Sequence, residues 1–466
     1  LSLRGQLLSS VRADIYGVNT FSPEFVLDFA EDYFRTSGTD TTFDSAITHA
    51  ATTNATMVDS DGLLKWRPHN LVTYSEQFDN AAWTKANATV SGTTLTASAG
   101  STTHGISRLD VVYTGGVKFT AEGRLAAGTT NFAAVRILYS TGVSDYTVLV
   151  FDLSLGTITQ TTTGANVTLH SSSLTAGPDG SYIYKIQFSR ATTSTVPRYT
   201  VLLSSTGTPL IGSNGEISFN AAGTETISLF YTTLYRSDLG GMVNNPDSGD
   251  SYVPTTTAAS YLPRRGHHVY NGTSLVNEGL LHESDARTNL VTYSNDFMDA
   301  AWGKTNSVVT AAAALSPSGG PDASSLVGNA GIPSNSFLSF NATLTIGQLY
   351  VVSCYVKDFG YNVSIGSDLF ANNKHAVFDF STEAFTEVGV GVLAARSENV
   401  GGGWYRISVA FENSNGNIYE VIIKPVNGTT LQGSNYDGTS GIYIWGAQLE
   451  AGSTPSSYIP TAGATV

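Results

Sequence analysis

One phrase occurs twice in this chain. Residues 70–85 read NLVTYSEQFDNAAWTK, and residues 289–304 read NLVTYSNDFMDAAWGK. Extended to Val90 and Val309, the two stretches share 13 of 21 residues without a gap. Self-similarity on this scale marks two copies of one folding unit, because each copy must bury the same face in the same way. The copies agree elsewhere at lower identity. DSDGLLKWRPHNL from Asp59 resembles NEGLLHESDARTNL from Asn277, IYKIQFSR from Ile183 resembles WYRISVAF from Trp404, and SYVPT from Ser251 matches SYIPT from Ser457. A chain of 466 residues exceeds what one core usually supports, so two domains fit its length as well as its repeat.

Within each copy the apolar residues alternate with polar ones in short runs, such as YTVLVFDLS and TISLFYTTLY in the first and LYVVSCYVKD and YRISVAFE in the second. Clusters of Gly, Asn, Asp and Ser separate these runs. Only 13% of residues are charged, with 47 Gly, 23 Tyr and 21 Phe, a mixture that favours pleated strands over long helices. The expected fold is all-β: two tandem antiparallel β-sandwiches of jelly-roll topology behind a small N-terminal arm. The expected boundaries are 1–52 for an adaptor or docking arm, 53–258 for the first sandwich with its lead-in, 259–285 for a bridge and second lead-in, and 286–466 for the second sandwich. In SPEFVLDF from Ser22, a helix with Ser22 as cap and Pro23 in its first turn competes with a strand over VLDF. The Pro, Gly and Asn residues of the bridge are expected to stop regular structure there.

Composition excludes several classes of partner. A net charge of -14, with no basic cluster larger than Arg264-Arg265, argues against nucleic acid and anionic membrane surfaces. No run approaches the ~18 apolar residues of a membrane span, and the first residues have too short an apolar core for a signal peptide. The single cysteine, Cys354, cannot form an intrachain disulfide or a thiolate metal cage, and its alternating setting reads as a buried thiol. No cofactor or metal is expected.

Gly249-Asp250-Ser251 has the letters of an esterase nucleophile block, but it precedes Tyr-Val-Pro, which does not open a helix. Asp59-x-Asp61-Gly62 begins like a calcium loop and then lacks the late acidic ligand, Asn70 standing near that place, so a turn is expected. His267 and His268 are neighbours in an extended segment and point apart. Asp145, Asp152, Asp379 and Glu383 lie near strand edges, and no pattern selects a catalytic pair among them. Tyr74, Trp83, Tyr293 and Trp302 occupy matching places in the repeated phrase and read as structural anchors, an opening strand followed by a core plug. Trp404 and Trp445 read as core. Sugar recognition needs aromatic planes beside hydrogen-bonding groups. The aromatics that the copies do not share, Tyr361 and Phe370 in FGYNVSIGSDLFANN and Tyr436 in GSNYDG, are therefore the expected carbohydrate-binding residues.

The lead-in ending in GLL, the phrase NLVTYS with its following F and AAW, the WYRISV strand and the ending WGAQLEAGSTPSSYIPT together resemble a family of bacteriophage virion proteins found in tail fibres, tail spikes and head fibres. Their domains are similar to jelly-roll carbohydrate-binding modules. The resemblance covers about residues 40 to 466, and the first copy departs from its most specific piece with LGGMVNNPDSGDSYVPT. It implies a non-catalytic tail fibre or spike on the virion surface, docked to other virion proteins through the N-terminal arm, binding host surface glycan, and assembled as a homotrimer. A head fibre or capsid decoration protein is the alternative, and a polysaccharide depolymerase a more remote one.

Overall fold

The computed structural model describes residues 25–466 except 110–111, 140–144, 192, 194–196, 284, 333–334, 368–373, 415–417 and 432–434. The chain forms two compact units. One holds Ala50–Asn54 and Trp66–Leu262; the other holds the described residues up to His49, Ala55–Lys65 and Pro263–Val466.

The fold is all-β, and each unit contains a sandwich of two six-stranded antiparallel sheets. In the first sandwich one sheet runs Thr157–Thr163, Tyr146–Asp152, Phe132–Leu138, Arg198–Ser204, Gly105–Arg108, Thr84–Ala86 from edge to edge. The facing sheet runs Val167–Ala176, Tyr182–Arg190, Lys118–Ala127, Thr226–Arg236, Thr94–Ala97, Ala88–Ser91. The second sandwich repeats this order strand for strand, with Lys118–Ala127, Tyr182–Arg190 and Thr226–Arg236 replaced by Leu349–Phe359, Trp404–Glu412 and Gly441–Ala451. Alternation explains both cores. Val352, Cys354 and Val356 point inward from one strand and meet Ile407 and Val409 from its neighbour, while the residues between them face out. Burial pushes the Cys354 thiol up to about 12, which keeps it protonated.

The repeated phrase has a specific task in each core. Trp83 and Trp302 are buried, pack at a tilt against Phe78 and Phe297 at ring separations of 5.3 and 5.1 Å, and donate their indole N–H to the carbonyls of Tyr74 and Tyr293 at 3.0 and 2.8 Å. The expected opening strand is absent: residues 71–83 are a succession of turns, with Tyr74 at φ +54. The plug is held by hydrogen bonds instead. Asn70 donates to the carbonyls of Thr232 and Val253 and accepts from the N–H groups of Val72 and Leu234; Asn289 does the same with Ala447, Ile459, Val291 and Leu449. Ser75 and Thr255 exchange backbone-to-hydroxyl hydrogen bonds, as do Ser294 and Thr461. Tyr252 and Tyr458 then place their hydroxyls on Ser75 and Ser294, at 2.8 and 2.7 Å. The phrase NLVTYS and the motif SY[VI]PT are thus the two halves of one clasp, which is why they recur together.

Other segments differ from expectation. Ser22 and Pro23 lie outside the described residues, but the competing strand forms: Val26–Asp28, Tyr33–Thr36 and Thr39–Thr41 make a small sheet, followed by the short helix Phe43–Ala46 capped by Thr42. The bridge is not irregular. Arg264–Tyr270 and Leu275–Leu281 pair as a hairpin, because Asn271-Gly272 supplies its turn: Asn271 accepts from the N–H groups of Thr273 and Ser274, and Gly272 has φ +94.

Candidate functional site

The aromatic residues expected to bind sugar are not exposed platforms. Tyr361 and Tyr436 are 8% and 2% exposed and pack edge to face, with ring centroids 6.0 Å apart. The Tyr361 hydroxyl accepts from the Asp437 N–H at 3.0 Å, and Tyr436 donates to the Pro425 carbonyl at 2.8 Å. Both rings fasten a loop to the sheet end, so neither offers a face to a ligand. Phe370 lies outside the described residues. Trp404 and Trp445 are buried as expected of packing residues, with indole N–H groups on the Leu315 carbonyl and the Asp322 carboxylate.

The catalytic readings resolve into structural ones. Ser251 donates to Glu122 at 2.6 Å and accepts from Lys185 at 2.8 Å, and Lys185 is ion-paired to the same carboxylate at 3.1 Å. A charged ammonium cannot take the serine proton, and the serine is anchored rather than activated. Asp152 and Asp379 each accept from a backbone N–H and hydroxyl two residues on, at Ser154 and Ser381, so they build matching turns. Asp145 pairs with Arg190 at 3.1 Å. Asp59 forms a turn through the N–H groups of Asp61 and Leu63, and Lys65 ion-pairs with its carboxylate where a cation would sit. His267 and His268 lie on the hairpin strand, their ring nitrogens meeting the Val58 N–H and the Gly266 carbonyl. Among the described residues no group of His, Cys, Asp and Glu is placed to hold a metal ion.

What the structure does contain is a cleft of about 240 Å³ on the outer face of the second sandwich. Its floor is the sheet of Leu349–Phe359, Trp404–Glu412 and Val392–Gly401, which presents Tyr355, Arg406 and Glu398 side by side, since Tyr355 pairs with Arg406 and Arg406 with Glu398 in register. Its walls are the lead-in Thr56–Leu64, the end of the hairpin at Leu281–Glu283, and Pro455–Tyr458 of the C-terminal motif. A polar network fixes the walls. Arg264 pairs with Glu283 at 2.8 Å and donates to the Thr56 carbonyl and the Ser457 hydroxyl; Glu283 also accepts from the Ser457 N–H and hydroxyl. Burial alone would raise the Glu283 carboxyl, but the Arg264 guanidinium and the Ser457 donors outweigh it and hold the group below its ordinary range. Beneath them Glu450 accepts from Gln448 and from the N–H and hydroxyl of Ser456, which locks the C-terminal segment to the sheet.

The groups facing the opening are aromatic and charged. The Arg406 guanidinium lies 5.4 Å from the Tyr355 ring centre, and Tyr355 meets Trp445 and Tyr458 edge on. Further along the same face Phe359, 37% exposed, and Tyr443 pair at 4.7 Å. This arrangement can hold a small polar ligand by ring contact and by hydrogen bonds from planar charged groups. Reading the sequence for loops that the copies do not share missed it, because the cleft stands on strands that both copies have. The available signal was the change of side chain within a shared strand.

No family model and no curated protein matches the chain. Among solved structures it is similar to the N-terminal CBM22-1-CBM22-2 tandem domain of Xyn10C from Paenibacillus barcinonensis, at 11% identity and a TM-score of 0.22, covering 87% of this chain and 100% of that one. It is also similar to the plant receptor-like kinase ANX2, at 11% identity and a TM-score of 0.19, covering 83% of this chain and 94% of that one. Overlaps this loose carry no functional argument; the architecture rests on the strand register described above.

Proposed function

We propose that this chain is a virion structural protein of tail fibre or spike type whose tandem sandwiches attach to host surface polysaccharide without cleaving it. The observation that carries the binding part is the outer-face cleft of the second sandwich, where Arg406 and Glu398 supply planar donors and acceptors and the exposed Phe359 ring lies further along the same face. Sugars need that combination: apolar C–H faces against a ring, hydroxyls against side chains that both give and take hydrogen bonds. The virion assignment is supported by the sequence resemblance, through the clasp phrases and the WGAQLEAGSTPSSYIPT ending. A cleft of this size holds a short saccharide and binds it weakly, so attachment gains strength from copies on an oligomer, through effective concentration at a surface that repeats its sugars.

The full chain is expected to bind purified surface polysaccharide of its host in a sedimentation or surface-resonance assay and to release no reducing ends from it. Antibody labelling is expected to place it on the tail of the particle. Absence of binding to every host polysaccharide tested would overturn the adhesion reading, and release of reducing ends would replace it with an enzymatic one.

A further inference from the structure

The two sandwiches present the same face with different electrostatics. In the first, Glu122 and Lys185 are register partners on Lys118–Ala127 and Tyr182–Arg190, and the clasp sets them level with Ser353 and Ser408 of the second; Tyr355 and Arg406, two places along the same ladder, are level with Arg124 and Ile183. Lys185 is satisfied from within, by Glu122 at 3.1 Å and Ser251 at 2.8 Å. Glu122 in turn accepts from Tyr231, Tyr235 and Ser251. The second sandwich has serines at both of those places, so no carboxylate stands there to pair with Arg406. The guanidinium keeps a hydrogen bond to the Ser353 hydroxyl at 3.2 Å and the ring of Tyr355, while its buried Nε has no acceptor among the described residues.

Other carboxylates near the cleft do not fill the gap. Glu283 is committed to Arg264 and Ser457, and Glu450 to Gln448 and Ser456. Glu398 stands across from Arg406 in register, but its side chain is exposed, and no carboxylate among the described residues lies within ion-pair distance of the guanidinium. A half-buried guanidinium flanked by a ring and short of an acceptor is suited to a planar carboxylate, which takes two parallel N–H donors at once.

We infer that the Arg406 cleft of the second sandwich takes a carboxylate-bearing sugar residue, such as a uronate, a sialate or a pyruvate ketal, and that the first sandwich, where Ile183 stands level with Arg406 and Lys185 is already paired with Glu122, does not. The inference rests on the adhesion reading and sharpens it to a substrate class. The sugar carboxylate sits on the Arg406 guanidinium, and the Glu398 carboxylate across the strand pair opposes its charge. A net charge of -14 repels polyanions in general, so recognition is local, one carboxylate at one guanidinium.

The test uses the full chain on an array of uronate-, sialate- and pyruvate-bearing glycans, each printed beside its carboxyl-reduced counterpart. Binding is expected on carboxylated members and lost on the reduced ones. Arg406→Gln is expected to weaken it by at least about tenfold, the usual effect of losing a charge-assisted hydrogen bond. Arg406→Lys restores part of it, and Glu398→Gln, which removes a repulsive charge, strengthens it. Lys185→Gln in the first sandwich leaves it unchanged. Circular dichroism and melting curves show that each variant is folded, and the gain with Glu398→Gln is a result that misfolding does not produce. Binding equal on carboxylated and reduced glycans overturns the inference and leaves the adhesion reading standing. Binding to no member of the array overturns both.

Discussion

At the scale of single residues, two histidines carry a clear acid sensitivity. His69 is fully buried, its Nδ1 facing the Arg67 carbonyl and its Nε2 accepting the Arg236 N–H at 2.9 Å. Burial pushes it down to about 3. His267 accepts the Val58 N–H, and burial with the nearby Arg264 pushes it down to about 4. An unfolded histidine takes up a proton near pH 6.5, whereas these remain neutral until the pH is far lower. Folded pKa values below the unfolded value mean that their contribution is complete above about pH 6.5 and is lost as the pH falls from there toward 4. The denaturation midpoint of the unit Pro263–Val466 with its lead-in is therefore expected to fall between pH 6.5 and 5, before most carboxylates titrate. His267→Gln, which can still accept from Val58, should flatten that slope. An unchanged slope would show that the imidazole does not control the transition. Sequence pointed at His267 and His268 as a pair; the Val58 contact depends on where the lead-in strand docks, which no local pattern specifies.

Elements in this protein are held as much by buried side-chain amides as by strand ladders. Asn289 satisfies two backbone N–H groups and two carbonyls on segments far apart in sequence, tying the repeated phrase to the Gly441–Ala451 strand and to the SYIPT motif. Removing it strands several buried polar groups, each worth about 1–3 kcal/mol. Asn289→Ala is accordingly expected to destabilise its unit by on the order of 3 kcal/mol or more in urea titration, with Asn70→Ala doing the same in the other unit. A loss within about 0.5 kcal/mol would mean that water replaces the amide. Strand signals were legible because alternation is local: LYVVSCYVKD and YRISVAFE fall inside the observed strands Leu349–Phe359 and Trp404–Glu412. The opening strand was misread because TYSxxF is apolar enough for a strand, while its hydrogen bonds run to the clasp and not to a neighbour. The bridge hairpin was also within reach of the sequence, since Asn271-Gly272 lies between apolar runs.

On the scale of the molecule, the grouping of segments is a tertiary property. The first sandwich draws its core from residues between Val72 and Leu234, a continuous piece of chain. The second unit adds the described N-terminal residues and the lead-in Ala55–Lys65 to Pro263–Val466. Arg265 forms a bidentate pair with Asp32, and Thr56 donates to the Tyr458 carbonyl at 2.7 Å. Expressed alone, Trp66–Leu262 is expected to melt cooperatively. Pro263–Val466 alone should melt below the same piece carrying residues 25–65, because Arg264 and Tyr458 lose their contacts with Thr56, Arg265 loses Asp32, and the cleft loses a wall. Equal melting temperatures would show that the lead-in contributes nothing to the unit.

The sequence by itself determined that there are two copies, that each is a β-sandwich, and that the shared tryptophans belong to the interior. Those are consequences of repetition and alternation, which act between near neighbours. Only the tertiary structure decided where a ligand could sit. The meeting of Tyr355, Arg406 and Glu398 depends on the register of three strands, and the walls of their cleft come from both ends of the unit. Above all, Arg406 acquires meaning only when its neighbours across the sheet are seen to leave it without an ion pair among the described residues, since a charge becomes a site when its partner is missing.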